Sequence, residues 1–283
     1  MLITEFHRTY LEKGLTSHVI ELFRKLIYSY FKNNRRDFPF RKEITPYNVL
    51  VSEIMLQQTQ TGRVAEKYLE FKEEFPDFLS LSNASNEKLL KVWQGMGYNR
   101  RALALKQIAK TVVTDFNGNL PDSIDILKSF PQIGHNTASS ILAFAFDKPS
   151  IFIETNIRRV YIYFFFPRKK KINDKNILPV VERTVDRDNP REWYYALMDY
   201  GVMLKKTHPE LNKRSSHYRK QSPFKGSNRQ IRGKVLKILT AESVLLESTL
   251  SKKLQLSIDK LRPILQQLER EGFIKRDGNK ISI

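Results

Sequence analysis

The stretch that most limits what this chain can become is Ser129 to Val160, SFPQIGHNTASSILAFAFDKPSIFIETNIRRV. Pro131-Gln132-Ile133-Gly134 cannot continue a helix, because proline brings no N–H and Gly134 admits the positive φ that a sharp turn needs. Thr137 to Phe146 then places small and large apolar residues at helical spacing, the pattern of a helix packed tightly in a core. The amides of Ile133, Gly134, His135 and Asn136 fall at the start of that helix. Free amides together with the helix dipole make an anion site. An ordinary turn between two core helices fits the same residues. The sequel favours the anion site: apolar Ile151-Phe152-Ile153 runs directly into Glu154, then Asn156, Arg158 and Arg159.

Charge says which anion to expect. The 283 residues carry a formal net charge of +19, which points to a polyanion partner. Membrane lipid is the competing polyanion. No apolar run is long enough to span a bilayer, and Met1 to Leu15 has mixed charges rather than the layout of an export signal. The expectation is a cytoplasmic, nucleoid-associated protein with a nucleic-acid partner and no membrane partner. There is no cysteine, which excludes disulfides, cysteine-type zinc sites and iron–sulfur clusters. The five histidines show no metal-ligand spacing, so no metal is expected.

Taken in order, the residues up to Asn34 read as helical, with Ile20, Leu22, Phe23, Leu26, Ile27 and Tyr30 as an apolar stripe. Arg35 to Lys42 is a connector, either solvated or touching DNA. Thr45-Pro46 is a helix start, cap then first helical position. Val49, Leu50, Ile54, Met55 and Leu56 supply the buried face of that helix, while Glu53 and Gln57, four apart, share another. Taken alone, Glu53 is a surface glutamate. Gln57, Gln58, Thr59 and Gln60 are uncharged hydrogen-bonding side chains suited to base edges or to a gap in a base stack. A solvated helix end more often carries lysine or glutamate.

Tyr68 to Trp93 reads as two further helices with a start signal at Asn83 to Glu87. Gln94 to Ala102, QGMGYNRRA, is a two-glycine loop with Tyr98 at its tip beside Arg100 and Arg101. Such an aromatic can wedge into a duplex, or simply cap a core. With no strand before it, this is not a dinucleotide fingerprint. Tyr161 to Phe166 is an aromatic core run, and Arg168 to Lys171 a solvated charge run. Residues 207–230 form a basic, loop-rich linker that includes Arg214, Arg219, Lys220, Lys225 and Arg229. Residues 231–283 read as a small separate unit: three helices, then strand–turn–strand around Asp277-Gly278, resembling a winged helix-turn-helix. Such units bind protein as often as DNA.

With Glu53 in SEIMLQQTQ, Tyr98 in WQGMGYNRRA, the Pro131–Thr137 turn and Glu154 in FIETNIRRV in that order, the chain resembles the helix-hairpin-helix DNA glycosylases, specifically the MutY type, over about Asp37 to Leu204. The resemblance implies an all-α fold of two helical modules, the inner one about 45–150 and the second built from 1–44 and 151–206, with the winged-helix-like unit appended. It implies a monomer that flips a base from double-stranded DNA and hydrolyses its glycosidic bond, adenine opposite guanine or 8-oxoguanine being the base. Carried over by position, Glu53, Glu154 and Asn156 would do the chemistry. Gln57, Gln58, Thr59, Gln60, Tyr98, Arg100, Ile133, Gly134, His135, Asn136, Thr137 and Arg158 would contact DNA.

The chemistry suits these residues in its own right. Adenine leaves poorly until protonated, and a glutamate must be raised from about 4.3 towards roughly 6–7 to hold a proton near neutrality. Val49, Leu50 and Ile54 supply an apolar setting of the kind that does so. The sugar left behind is oxocarbenium-like, and a second carboxylate stabilises it.

Four departures from the pattern matter. Glu154 replaces the usual Asp. Gln132 replaces a hairpin Gly. Asn136 stands where the family's lyases place Lys, so no β-lyase step is expected. Residues 205–217 lack the cysteines that hold a [4Fe–4S] cluster in many relatives. The winged-helix-like unit stands where MutY proteins tend to carry a Nudix-like domain, which leaves 8-oxoguanine recognition open. A thymine or uracil mismatch glycosylase of the same fold and a non-catalytic DNA-binding protein are the alternatives.

Overall fold

The computed structural model of the chain describes residues 2–219 and 223–283. Lys220, assigned above to the basic linker, lies outside the described residues. The N-terminal half comprises α1 (Leu2–Lys13), α2 (Ser17–Asn34), α3 (Pro46–Leu56), α4 (Thr61–Glu74), α5 (Phe78–Asn83), α6 (Asn86–Val92), α7 (Arg100–Asp115), α8 (Ile124–Ser129) and α9 (His135–Phe146). Then follow α10 (Thr155–Phe165), α11 (Asp174–Thr184), α12 (Pro190–Thr207), α13 (Asn228–Glu242), β1 (Val244–Leu246), α14 (Glu247–Leu254), α15 (Ile258–Arg270), β2 (Lys275–Asp277) and β3 (Lys280–Ser282). The all-helical expectation holds, with one small sheet near the C-terminus.

Local capping explains most boundaries. Pro46 opens α3, and Thr45 Oγ1 accepts from the Asn48 N–H at 3.2 Å. Where two helices were expected between Tyr68 and Trp93, the chain forms three. The missed start is Asp77, whose side chain accepts from Ser80 N–H at 2.8 Å while Ser80 Oγ accepts from Asp77 N–H at 3.2 Å. This reciprocal box starts α5, and Ser85 then caps α6.

The chain divides into two compact units, one of Met1–Val49, Asp122–Ser129 and Ile133–Lys220, the other of Leu50–Pro121, Phe130–Gln132 and Gln221–Ile283. The expected modules were drawn at other bounds: residues 45–49 and α8, like α9, fall outside the unit that holds 50–121. The helix α9, placed by sequence in the inner module, groups with α12: Phe144 stacks on Tyr195 at 4.6 Å, and Arg191 Nε donates to Phe144 O at 2.6 Å. The C-terminal segment, expected to stand apart, shares a unit with 50–121, and Gln94 Nε2 donates to Thr240 Oγ1 at 2.6 Å.

The first unit has an aromatic core. Phe23 meets Phe164 at 5.1 Å and Trp193 at 5.5 Å, both edge-on, and Phe6 meets Phe164 at 5.2 Å. Each such pair contributes roughly 0.5–1.5 kcal/mol beyond its buried area. Tyr161, Phe164 and Phe165 are buried, as the aromatic run indicated. The connector Arg35 to Lys42 is not wholly solvated. Arg36 and Arg41 both reach the buried carboxylate of Asp199 on α12, at 2.7 and 3.1 Å, and Arg41 lies 4.3 Å over the Tyr195 ring. Removing one partner of such a buried pair costs about 3–5 kcal/mol.

In the second unit α5 and α7 pack together around Phe71, Leu81, Trp93, Leu105 and Ile108, all buried. The C-terminal helices enclose Leu239, Leu250, Leu261, Leu265, Leu268 and Phe273. The sheet is antiparallel in the order β1–β3–β2, with Ile281 of β3 opposite both Leu245 and Arg276. Helices followed by this hairpin give the winged-helix-like outline read from the sequence. The strand β1, three residues long, gave no alternation to read. Buried Glu247 takes Arg262 of α15 at 3.0 Å and Arg276 of β2 at 3.3 Å, so one carboxylate fixes helix and hairpin together.

Candidate active site and nucleic-acid interface

The helix α3 is nearly all buried. From Tyr47 to Met55 only Glu53 is partly exposed. The apolar Val49, Leu50 and Ile54 beside it are buried, and so are the polar Asn48 and Ser52. The helix ends at Leu56, and Gln58 adopts φ 55, which turns the chain out. Gln57 stays half-buried and donates from Nε2 to Gln132 O in the hairpin turn at 3.1 Å. Gln58 and Gln60 are exposed, and Thr59 is half-buried.

One residue organises this end of the second unit, and sequence reading missed its role. The Arg101 side chain is 3% exposed. Its Nη1 donates to Ile54 O, Met55 O and Gln57 O at 2.9, 2.8 and 2.5 Å, and its Nη2 to Thr59 Oγ1, Met96 O and Gly97 O at 3.0, 3.0 and 2.9 Å. A single guanidinium thus satisfies the unpaired carbonyls at the C-terminus of α3 and stitches them to the two-glycine loop. Burial pulls its pKa down to about 10, which leaves it charged at neutral pH. The signal was present as the second arginine of Arg100-Arg101, but only tertiary contacts separate the two. Arg100, expected to meet DNA, forks onto Glu271 at 2.9 and 2.6 Å.

The loop itself is left-handed at Gly95, Gly97 and, without a glycine's freedom, Tyr98 at φ 46. Trp93 Nε1 donates to Gly97 O at 3.1 Å. The Tyr98 ring is 37% exposed, so it does not cap a core.

The hairpin turn differs from expectation in one respect. Gly134 is extended, at φ −90 and ψ 178, and caps α9; the positive φ falls on Gln132, at 62°. The sharp reversal therefore sits two residues earlier than the glycine suggested. Ile133 is buried, while Gly134, His135 and Asn136 are exposed and Thr137 is half-buried. The Ala138 N–H donates to Gly134 O at 2.9 Å and closes the first turn of α9. No side chain caps this end.

Two of the exposed residues hold the next loop. Asn136 Nδ2 donates to Ile153 O at 3.0 Å, and its Oδ1 accepts from Ile153 N–H at 3.5 Å. The His135 ring nitrogen lies 3.1 Å from Ile151 O. Together they fasten 151–153 to the start of α9 and so place Glu154, which is the N-cap of α10. Its Oε1 accepts from Asn156 N–H at 2.7 Å and Ile157 N–H at 2.8 Å, and its Oε2 from Asn156 Nδ2 at 3.2 Å. A carboxylate there also gains from the helix dipole.

A chain of contacts continues behind it. Arg159 Nη1 donates to Asn156 Oδ1 at 2.8 Å and to Gly201 O, while Arg159 Nε donates to Asn212 Oδ1 at 3.1 Å. Burial lowers the Arg159 pKa, and the Glu154 charge opposes that shift. Gly201 permits this approach of α12, since a Cβ there would lie 2.4 Å from Asn156 O. Asn212 sits in the 3-10 turn Pro209–Arg214, within the cysteine-free region, where Leu211 is buried and Ile172 N–H bonds to Arg214 O at 2.8 Å. Arg158, expected on DNA, pairs with both oxygens of Asp174 at 2.6 Å. Glu53 and Glu154 are both partly exposed, so neither is sealed behind packing. Among the described residues no cluster of three or more histidine or acidic side chains suits a metal, and no helix is long and apolar enough to cross a membrane.

Residues 51–184 match the family model described as HhH-GPD superfamily base excision DNA repair protein. The chain is 34% identical over 188 residues to an adenine DNA glycosylase of Buchnera aphidicola subsp. Baizongia pistaciae, covering 65% of this chain and 53% of that protein. It is 28% identical over 233 residues to the adenine DNA glycosylase of Mycobacterium tuberculosis, covering 75% and 77%. It therefore spans about half the length of the Buchnera relative. Among solved structures, a thermostable thymine-DNA glycosylase superposes with a TM-score of 0.60 at 25% identity, covering 70% of this chain and 96% of that one.

Proposed function

We propose that this chain, whose residues 51–184 match the HhH-GPD base excision DNA repair model, is a monofunctional adenine DNA glycosylase acting on adenine mispaired with guanine or 8-oxoguanine in double-stranded DNA. The observation that carries the reading is Glu53: the one carboxylate of α3, partly exposed where the rest of Tyr47 to Met55 is buried, on a helix that leads directly into Gln57 and the Arg101-braced loop. The adenine glycosylases among its relatives supply the base.

In this reading Glu53 donates its proton to the adenine ring. The C1′–N9 bond then breaks, with its electron pair leaving on the base. Glu154, held by the three N–H donors of Asn156 and Ile157, faces the sugar cation until water adds at C1′ and yields an abasic site. The amides at the start of α9 hold a backbone phosphate. Tyr98 and Gln57 occupy the stack vacated by the base, and a mispair lowers the few kcal/mol needed to vacate it. No β-elimination follows, since Asn136 supplies an amide, not an amine, and that amide is bonded to Ile153. The protein acts as a monomer.

The test is a single-turnover assay on A:8-oxoG, A:G, T:G and U:G duplexes. Adenine release that disappears in Glu53→Gln is expected. Release of thymine or uracil alone would replace this reading with its alternative, which the near-complete coverage of the thymine-DNA glycosylase structure favours. Salt-sensitive binding with no abasic product on any duplex would leave a non-catalytic DNA-binding protein.

A further inference from the structure

The C-terminal segment meets the Tyr98 loop and its flanks at a series of polar contacts within the second unit. Gln94, which enters the loop, donates to Thr240 Oγ1 of α13 at 2.6 Å, and Ser243 Oγ donates to Glu87 of α6 at 3.3 Å. Arg229, in the first turn of α13, donates from Nη1 to the Tyr98 hydroxyl at 3.1 Å. Glu271, just past α15, gathers two arginines. Arg100, the first residue of α7, reaches it at 2.6 Å, and Arg232 of α13 at 2.5 Å.

These contacts act where the chain is least able to hold itself. Gly95, Gly97 and Tyr98 all have positive φ, and two of the three are glycines that fix little by themselves. Arg101 secures the loop carbonyls from within, but an aromatic that displaces a base must also be held at its outer end. A wedge that must be ordered on each encounter binds more weakly than one already in place. Arg229 meets the hydroxyl, the far end of the ring. The Glu271 bridge fixes the residue two positions after Tyr98 to α13 and α15.

We propose that residues 228–283 are a clamp in cis for the Tyr98 loop, with Arg229 and Glu271 as positioning residues for base displacement. The use of the clamp rests on the function proposed above. Its existence does not. The appended unit is thus part of the machinery that presents the wedge, whatever else it touches. Three guanidinium groups, Arg100, Arg229 and Arg232, stand there against two carboxylates, Glu271 and Glu87, which leaves the clamp cationic beside the wedge, as a phosphate backbone requires.

The clamp also has a pH signature. The Arg100 hydrogen bond, then that of Arg232, holds the Glu271 carboxyl down at about 2 against an ordinary 4.5. A depressed carboxylate contributes fully above its ordinary value and is lost as pH falls from there through about 2.

Amide hydrogen exchange of Gly95 to Asn99 in the full-length, DNA-free protein tests the clamp, with α10 amides as the internal reference. Arg229→Met and Glu271→Gln are each expected to speed exchange in the loop about five- to tenfold without moving α10, and Arg229→Lys to restore it. Loop exchange unmoved by both variants overturns the clamp. Its use is read from 2-aminopurine fluorescence beside an A:8-oxoG pair. Arg229→Met should lower the amplitude, with Arg229→Lys recovering it and Arg229→Met non-additive with Tyr98→Phe. Additivity overturns the positioning role. If exchange responds but the wild type releases no base from any duplex, the function fails and the clamp stands. If adenine is released but exchange is unmoved, the reverse holds.

Discussion

The two carboxylates occupy opposite kinds of surroundings. Glu53 rises from a helix whose neighbours from Tyr47 to Met55 are all buried and mostly apolar, and its segment is held by a cation, Arg101, that bonds to carbonyls beyond it. Glu154 ends an apolar loop but is wrapped at once by two backbone amides and the Asn156 side chain at the start of α10. The first setting suits a group that must carry a proton. The second suits a group that must remain a charge facing a cation. A glycosylase needs one of each, and the difference is made by what surrounds the carboxyl, because both residues are glutamate. The longer side chain at 154 does not prevent capping, since both amide contacts are under 3 Å.

The sharpest way to break the contrast is Glu53→Gln. Loss of a general acid should slow single-turnover adenine release about 10³-fold while affinity for the mispaired duplex stays put. A rate within tenfold of wild type would remove Glu53 from the chemistry. Next is Glu154→Ala, expected to lower the rate about 10²-fold and also to destabilise the protein by about 1 kcal/mol through loss of the cap. Glu154→Gln separates these effects: its amide oxygen still caps α10, so the melting temperature should stay near wild type while the rate drops.

Gly201→Ala probes the same side from behind. Its Cβ would meet Asn156 O at 2.4 Å, so α10 or α12 must shift, at about 1–3 kcal/mol, measured by urea unfolding. The rate should fall through Glu154, while amide exchange around Glu53 and Gln57 is unchanged. The smallest effect is expected from Gly134→Val. Nothing lies within 4 Å of a Cβ there and φ is −90, so the stability cost is only that of a poorer N-cap, about 1 kcal/mol or less. With melting followed alongside, a several-fold loss of DNA affinity by fluorescence anisotropy would report crowding of the phosphate, and unchanged affinity would end the phosphate-binding role of that turn.

What the sequence made legible was whatever is encoded locally. Thr45-Pro46 starts a helix because cap and first turn are adjacent, and TASSILAFAF forms α9 because its spacing suits a core helix. Glu154 stood out because a charge follows an apolar run. What stayed hidden was set by distant partners. Arg100 and Arg101 are neighbours with the same side chain, yet one is exposed on Glu271 and the other buried among carbonyls. The positive φ at Gln132 was assigned to Gly134, because composition favours glycine there and only the finished turn shows which residue carries the reversal. The Asn136 side chain is bonded to Ile153, 17 positions on, a role that its place in the turn did not announce. The grouping of the C-terminal segment with 50–121 rests on pairs such as Gln94 and Thr240, 146 positions apart, which no window along the chain can join.

Arg101 has one more implication, for which changes this protein can absorb. Five of its six close acceptors are peptide oxygens, at Ile54, Met55, Gln57, Met96 and Gly97, and Thr59 alone offers a side chain. Peptide oxygens persist whichever amino acid occupies the position, so this contact leaves those five sites open to replacement. Position 101 has no such latitude. A lysine brings three donors in place of five, and a neutral residue brings no charge at all. Gly97, at φ 68, and buried Ile54, Met55 and Met96 answer to other constraints, so an engineer can redraw only the exposed side chains of both segments around this one fixed point.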